Sequence, residues 1–276
     1  MITLDGLPLT NPGKWRLNTD TVLRIFPERT AADGALPGRD GSLPSLGSRY
    51  EPGAVVLGIT LYGADRAGVE ANAELLYGVL GQRHRLLTLA DTVRGREAKV
   101  EVLESVEPER VGQRMWKMGV ALRAPSVFWR SPATVDSTQP IPQGASNPSP
   151  FLTEFGGGTG PINDALIRFR GNFSQVILED IVSGDRLTVN QAATSTQYVV
   201  VDTANWVARL HSTDTWDLVG GTDVINSVVS NRGSGPMFTL NPDFVSGAGR
   251  YQMRITGAIN ATTSPLVTVR AKKSFI

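Results

Sequence analysis

The sequence predicts a mainly β chain of two domains, with one helix packed in the first. Three observations carry this. Two segments, Ala54–Tyr62 and Trp116–Leu122, alternate apolar and polar residues at the period of a half-buried strand. A single run, Arg66 to Leu80, has helical spacing instead. From Leu166 onward the chain is a series of short apolar runs cut by turn residues, the pattern of a sandwich or barrel.

The chain opens with Ile2-Thr3-Leu4-Asp5-Gly6, a short strand running into a turn, and Trp15 to Phe26 has room for another strand pair. Ala31 to Tyr50 is rich in Gly, Pro and Ser and reads as a long loop, with a strong turn signal at Pro37-Gly38-Arg39-Asp40-Gly41. Loops of that length usually have a function or lack order. In the helix, Val69, Ala73, Leu76 and Leu80 share one face and Glu70 and Glu74 lie on the other; Asp65 is placed to cap its start and Gly81 its end. Its expected role is to cover a sheet. Leu86–Ala90 and Lys99–Val106 read as strands joined through the polar segment Asp91–Glu97.

Composition shifts from Arg130 to Gly160, where prolines alternate with Ser, Thr, Gln and Asn before Gly156-Gly157-Gly158. This stretch is expected to be a linker over 131–160, between a first domain at 1–130 and a second at 161–276. Strands are expected in the second at Leu166–Arg170, Gln175–Asp180, Arg186–Val189, Tyr198–Asp202, Trp206–His211, Val224–Val229, Tyr251–Ile255 and Leu266–Lys272.

Composition excludes several classes of function. There is no cysteine, hence no disulfide framework, thiol nucleophile or Cys-based zinc site. The formal charge is +1, balanced in both halves, so no basic half exists to neutralise phosphates. No run of about 18 apolar residues is present, so membrane insertion is not expected. The start lacks a basic region followed by an apolar stretch, so synthesis in a cytoplasm without a signal peptide is expected.

Catalytic patterns are missing. His84 lies between two arginines after the helix and His211 ends a strand; neither has metal-ligand spacing. No nucleophile elbow occurs. Gly156-Gly157-Gly158-Thr159-Gly160 lacks the Lys-Ser/Thr ending and the following helix of a phosphate cradle. Glu101, Glu104, Glu107 and Glu109, and the pair Glu179 and Asp180, supply carboxylates but no cleft, and read as solvated strand faces. No catalytic, cofactor or metal residues are therefore assigned, and the chain is not expected to be an enzyme. Trp206 and Trp216, set in apolar surroundings, are expected to fill the core; if exposed they would be candidates to stack on a sugar ring.

Taken in order, several segments resemble the distal tail proteins of siphophages, minor tail components of the tail tip. They are the opening Ile2-Thr3-Leu4-Asp5-Gly6-Leu7-Pro8-Leu9, the polar loop Gly38-Arg39-Asp40-Gly41, the strand–helix unit Val55–Leu80, and the strand Trp116–Leu122 closing into Ala124-Pro125-Ser126-Val127-Phe128-Trp129. In the second half they are Ile162–Gly171, Val199-Val200-Val201-Asp202-Thr203, Trp216-Asp217-Leu218 before Gly220-Gly221, and the pair Tyr251–Ile255 and Leu266–Arg270. The resemblance implies an N-terminal β-sandwich with a helix that forms a homo-hexameric ring, and a C-terminal galectin-like or carbohydrate-binding-module-like sandwich projecting outward. The ring would join the tail tube protein to the tail-tip hub or tail-associated protein and its fibres, beside the tape measure protein. DNA would meet it only in transit through the lumen, and the chain would reside in the virion, at the baseplate. No catalytic residue comes with this family. A ring needs heterologous contacts that close, and Gly38, Arg39, Asp40 and Gly41 are the expected contact loop. The competing reading is host attachment: a glycan-binding second domain using Trp206 and Trp216.

Overall fold

A computed structural model describes residues 1–19, 21, 23, 29–31, 48–81, 85–105, 108–232, 236–245, 248–259 and 264–276. The chain is mainly β and divides into two compact units, 1–132 with Ile276, and 133–275. The strands of the first are β1 (Ile2–Leu4), β2 (Leu7–Pro8), β3 (Trp15–Leu17), β4 (Arg29–Ala31), β5 (Ser48–Tyr50), β6 (Gly53–Tyr62), β7 (Leu87–Asp91), β8 (Arg96–Ser105), β9 (Glu109–Arg110) and β10 (Met115–Ala124); α1 (Arg66–Leu80) follows β6. Strand β11 (Trp129–Pro140) begins in the first unit, with Arg130 opposite Glu97, and continues into the second.

Side-chain alternation sets the main strand pair of the first unit. β6 and β10 run antiparallel with Leu57 opposite Val120, Ile59 opposite Met118 and Leu61 opposite Trp116. Because side chains alternate across a sheet, all six face one side, and all are buried. The other side keeps Val56 54% exposed. Sheet order is β2-β1-β7-β8-β10-β6-β3. β8 pairs with β7 through its first half and with β10 through its second, with a bulge between Ala121 and Leu122.

The helix follows its sequence signals closely. Asp65 has extended backbone and its side chain accepts a hydrogen bond from the Gly68 N–H at 2.8 Å, satisfying one of the donors a helix start leaves unpaired. Val69, Ala73, Leu76 and Leu80 are its buried residues, and it lies against β6. Gly81 donates its N–H to the Tyr77 carbonyl, but with φ near −78°. Glycine is therefore not needed there for a left-handed turn.

The second unit is an antiparallel β-sandwich. Its strands are β12 (Gly144–Ala145), β13 (Leu166–Arg170), β14 (Phe173–Asp180), β15 (Arg186–Val189), β16 (Tyr198–Asp202), β17 (Val207–His211), β18 (Thr222–Asp223), β19 (Val228–Ser230), β20 (Pro242–Asp243), β21 (Arg250–Tyr251), β22 (Met253–Ile259) and β23 (Leu266–Phe275). One sheet runs β18-β17-β16-β13-β23-β11 and the other β12-β22-β14-β15-β19. Ile167, Phe169, Val199, Val201, Val267 and Val269 of the first sheet and Val176, Leu178, Leu187, Val189, Met253 and Ile255 of the second form one buried cluster. Burying apolar area at about 25 cal/mol per Å² makes this cluster the main source of the unit's stability.

Three expectations differ from the structure. The stretch 131–160 is not a bare connection: it carries most of β11, β12 and the 3₁₀ turn Thr153–Phe155. β11 shows no apolar alternation because one of its core-facing positions is Ser137, fully buried and hydrogen-bonded to Glu154 at 2.5 Å. The expected strand Val224–Val229 is a 3₁₀ turn, Ile225–Ser227, before β19. β17 starts at Val207, because Trp206 has φ +57° and belongs to the preceding turn. Of the strand pair expected between Trp15 and Phe26, β3 is present and pairs with β6; most of the remainder lies outside the described residues.

Candidate binding surface

Strand register assembles a polar cluster on the outer face of the β17-β16-β13-β23-β11 sheet. Arg168 stands opposite Thr268 on one side and Val200 on the other, and Val200 stands opposite Arg209. Their sequence neighbours Ile167, Val267, Val201 and Ala208 are in the core, so alternation turns these residues outward. Arg270, two residues beyond Thr268, faces the same way. It meets the Asp136 carboxylate in a paired geometry, Nε to Oδ1 and Nη2 to Oδ2, both at 2.7 Å. Thr138 and Thr268 hydrogen-bond at 2.9 Å beside it.

The loop from 212 to 221 folds back over this face. Arg168 lies 4.5 Å and Arg270 4.0 Å from the Trp216 ring centroid, close enough for cation–π attraction. Arg168 also pairs with Asp214 and approaches the Tyr198 ring. Arg209 Nε donates to the Leu218 carbonyl at 3.1 Å, and His211 Nε2, which must carry the proton, donates to the Asp217 carbonyl at 2.9 Å. The Asp217 carboxylate accepts the Val219 and Gly220 N–H groups, both at 2.9 Å. At Gly221, φ is +76° and a Cβ would stand 2.6 Å from the Leu210 carbonyl oxygen, so only glycine closes the loop unstrained. Val200 points outward yet is fully buried; the face is covered.

Charge follows these contacts. The Asp136 carboxyl is held below its ordinary value, chiefly by the Arg270 hydrogen bond, and Arg270 is raised by the same bond. Asp217 is lowered by the backbone N–H of Val219 and then that of Gly220. Elsewhere, Ser137 lowers Glu154, and burial raises Asp185 despite the nearby Arg232. For Asp136 the lowered folded-state value means a stabilising contribution, complete above the ordinary carboxylate range and lost as pH falls through the folded value. Asp136 and Arg270 side chains are 41% and 33% exposed, so water screens the pair. Asp136→Asn is expected to lower neutral-pH stability by about 0.5–1 kcal/mol. The deficit should shrink in acid and in added salt. Thermal melts against pH check this; a deficit as large at pH 2 as at pH 7 would count against it.

The two tryptophans expected in the core are not in it. Trp206 is 44% exposed in the turn before β17. Trp216 is half-buried in the loop after β17, its ring engaged by guanidinium groups. Both were hidden by setting: apolar sequence neighbours do not reveal that a turn intervenes. The proposed contact residues Gly38, Arg39, Asp40 and Gly41 lie outside the described residues, as do His84 and Glu107. The sequence does not group Arg168, Arg270 and Asp136, because strand pairing joins positions far apart along the chain.

Three of the carboxylates considered for catalysis are engaged elsewhere. Glu101 pairs with Arg123 at 3.0 Å, and Glu179 pairs with Arg186 and Arg254. Asp180 accepts bonds from the Ser183 N–H and hydroxyl and from the Asn241 backbone and side chain. Among the described residues no three His, Cys, Asp or Glu side chains converge as a metal site. The glycine run is a packing device. A Cβ on Gly158 would stand 2.6 Å from the Tyr251 hydroxyl, and one on Gly160 2.7 Å from Ser274 Oγ. Tyr251 donates its hydroxyl to the Gly160 carbonyl at 2.6 Å.

No family profile matches the sequence, and no curated protein matches it. Among solved structures, the fold is similar to the crystal structure of the SPP1 Dit (gp 19.1) protein, described as a paradigm of the hub adsorption apparatus in Gram-positive infecting phages. The TM-score is 0.57 at 13% identity, over 98% of each chain. A weaker likeness, TM-score 0.37 at 8% identity, is to the phage P2 baseplate in its activated conformation with Ca, over 96% of this chain and 93% of that one.

Proposed function

We propose that the chain is a structural, non-enzymatic protein of a phage tail tip, a distal tail protein of the siphophage type. The observation that carries this reading is the likeness in fold to SPP1 Dit along nearly the whole of both chains, through both units and the connection between them. A match of that extent concerns an architecture, whereas a match to one sandwich would concern only a common fold. In this reading the first unit assembles into a six-membered ring that continues the tail tube and joins it to the hub and fibres, near the tape measure protein. DNA crosses the ring during ejection, and a chain of formal charge +1 grips phosphates less than a strongly basic one would. The second unit projects from the ring.

The test is electron microscopy of the purified protein with native mass spectrometry of the same sample. Six-fold rings are expected. In the reading proposed, the loop that contains Gly38 to Gly41 reaches the neighbouring copy. Replacing residues 32–47 by a short Gly-Ser linker is then expected to abolish the six-fold species and leave a folded single chain. Rings that persist after the deletion would remove the loop from the interface. A wild-type chain that stays single even with added tail tube protein would remove the ring.

A further inference from the structure

We infer that the loop 212–221 is a self-docked strap on the outer sheet face, and that an acidic peptide segment with an aromatic residue, supplied by a partner protein, takes its place on Arg168, Arg209 and Arg270. The inference does not depend on the tail-tip reading, since the second unit carries the whole feature. It starts from what holds the strap. No residue from Ser212 to Gly221 belongs to the apolar core, and Val219 is 89% exposed. The strap meets the face through polar and ring contacts. Asp214 pairs with Arg168, and the Trp216 ring lies against Arg168 and Arg270. The Leu218 carbonyl accepts from Arg209 Nε and the Asp217 carbonyl from His211 Nε2. Segments with little apolar burial open locally at low cost.

The strap has the build of a unit that lifts whole. Thr215 Oγ1 accepts the Asp217 N–H at 3.0 Å, and the Asp217 carboxylate accepts those of Val219 and Gly220. These bonds lie within the turn 215–220 and do not depend on docking. Ser212 and Thr213, both exposed, precede it, and Gly221 follows at φ +76°. Underneath, the docking is incomplete. Asp136 grips Arg270 through both Nε and Nη2, whereas Asp214 meets Arg168 at Nη1. Arg168 Nε is buried with no hydrogen-bond acceptor among the described residues. A buried donor left without an acceptor is costly, so the strap is an imperfect occupant.

The face selects the class of partner. Lifting the strap removes Asp214 and leaves the guanidinium groups of Arg168, Arg209 and Arg270 with the carboxylates of Asp136 and Asp223. Positive charge is then in excess. Arginine clusters recognise acidic segments, and a carboxylate set on Arg168 as Asp136 is set on Arg270 would satisfy the open Nε. The same movement uncovers Val200, and it vacates the ring position against Arg168 and Arg270. An aromatic side chain fills that position with both apolar contact and cation–π attraction. The strap itself, with Asp214 two residues before Trp216, is the pattern of such a ligand.

The experiment titrates the full-length chain into a fluorescein-labelled peptide with the sequence of residues 212–221 and reads fluorescence anisotropy. Wild type is expected to bind weakly, because the attached strap competes from within the same chain. Trp216→Ala and Gly221→Ala should each bind at least tenfold more tightly. The second keeps every contacting group and acts through a Cβ 2.6 Å from the Leu210 carbonyl oxygen. Thermal melts confirm that each variant is folded, and the two provide for each other. Adding Arg168→Gln to either should return binding to the wild-type level or below. A peptide with Asn at the Asp214 position, or Ala at the Trp216 position, should bind at least tenfold more weakly. Equal binding by wild type and both variants, no binding by any, or tight binding insensitive to Arg168→Gln overturns the proposal. Displacement of the peptide by oligothymidylate at a lower concentration than by unlabelled peptide makes the face a polyanion site and overturns it equally.

Discussion

Trp129→Ala is expected to destabilise the first unit by about 3–5 kcal/mol, the range for removing a large aromatic side chain from a core. Trp129 is fully buried beside Phe128, where the chain turns from β10 into β11. Its ring also supports Arg96, whose guanidinium lies 4.6 Å from the ring centroid and 3.5 Å from the Asp91 carboxylate. The side chain therefore contributes apolar burial and also a wall for a charge that is itself almost out of water. Losing it opens a cavity and lets water reach a paired charge, two penalties that add. Urea unfolding followed by circular dichroism measures the change, with hydrogen exchange assigning it to residues 1–132. Trp129→Phe should recover part of the loss. A loss below about 1 kcal/mol for Trp129→Ala would be incompatible with core burial of this ring.

Adding one methyl group at Gly63 is expected to cost about 1–3 kcal/mol or more, although alanine is the better helix former nearby. A Cβ there would stand 2.4 Å from the Val69 N, 2.7 Å from the Gly68 carbonyl carbon and 2.9 Å from the Asp65 carbonyl oxygen. All three are backbone atoms of the capped first turn of α1, so no side chain can rotate away. The helix must lift from β6, unseating Val69 and Ala73. Gly78→Ala supplies the internal contrast. Gly78 lies inside the same helix with nothing within 4 Å of a new Cβ. That substitution should stabilise by about 0.5–1 kcal/mol through helix propensity. Opposite signs in thermal melts, with faster exchange of α1 amides only in Gly63→Ala, are the expected result. Two shifts of the same sign would show that α1 does not seat on Gly63.

The sequence is legible where the physics is local. Alternation in β6 and β10 reported burial on one face, because a strand's side chains leave it on alternate sides whatever it pairs with. Helical spacing identified Val69, Ala73, Leu76 and Leu80 for a related reason, and the Asp65 cap acts within three residues of itself. β11 was not legible, since Ser137 occupies a core position and its burial depends on Glu154, brought near by the fold. Trp206 and Trp216 were misplaced for a comparable reason: the sequence reports that a residue is apolar, and not that its backbone turns left-handed or that two arginines wait on neighbouring strands.

Composition and periodicity by themselves determined the fold class, the helix and its buried face, the alternation of the central strand pair, and the lack of cysteine chemistry. The tertiary structure decided the register, and with it the Arg168, Arg270, Asp136 and Trp216 cluster, the incorporation of β11 into sheets, and the exposure of Trp206. The division has one physical cause. Backbone stereochemistry and solvent preference act over a few residues and are written locally, while hydrogen-bonded strand pairing joins positions as far apart as Asp136 and Arg270, and their contact exists only once the intervening chain has folded.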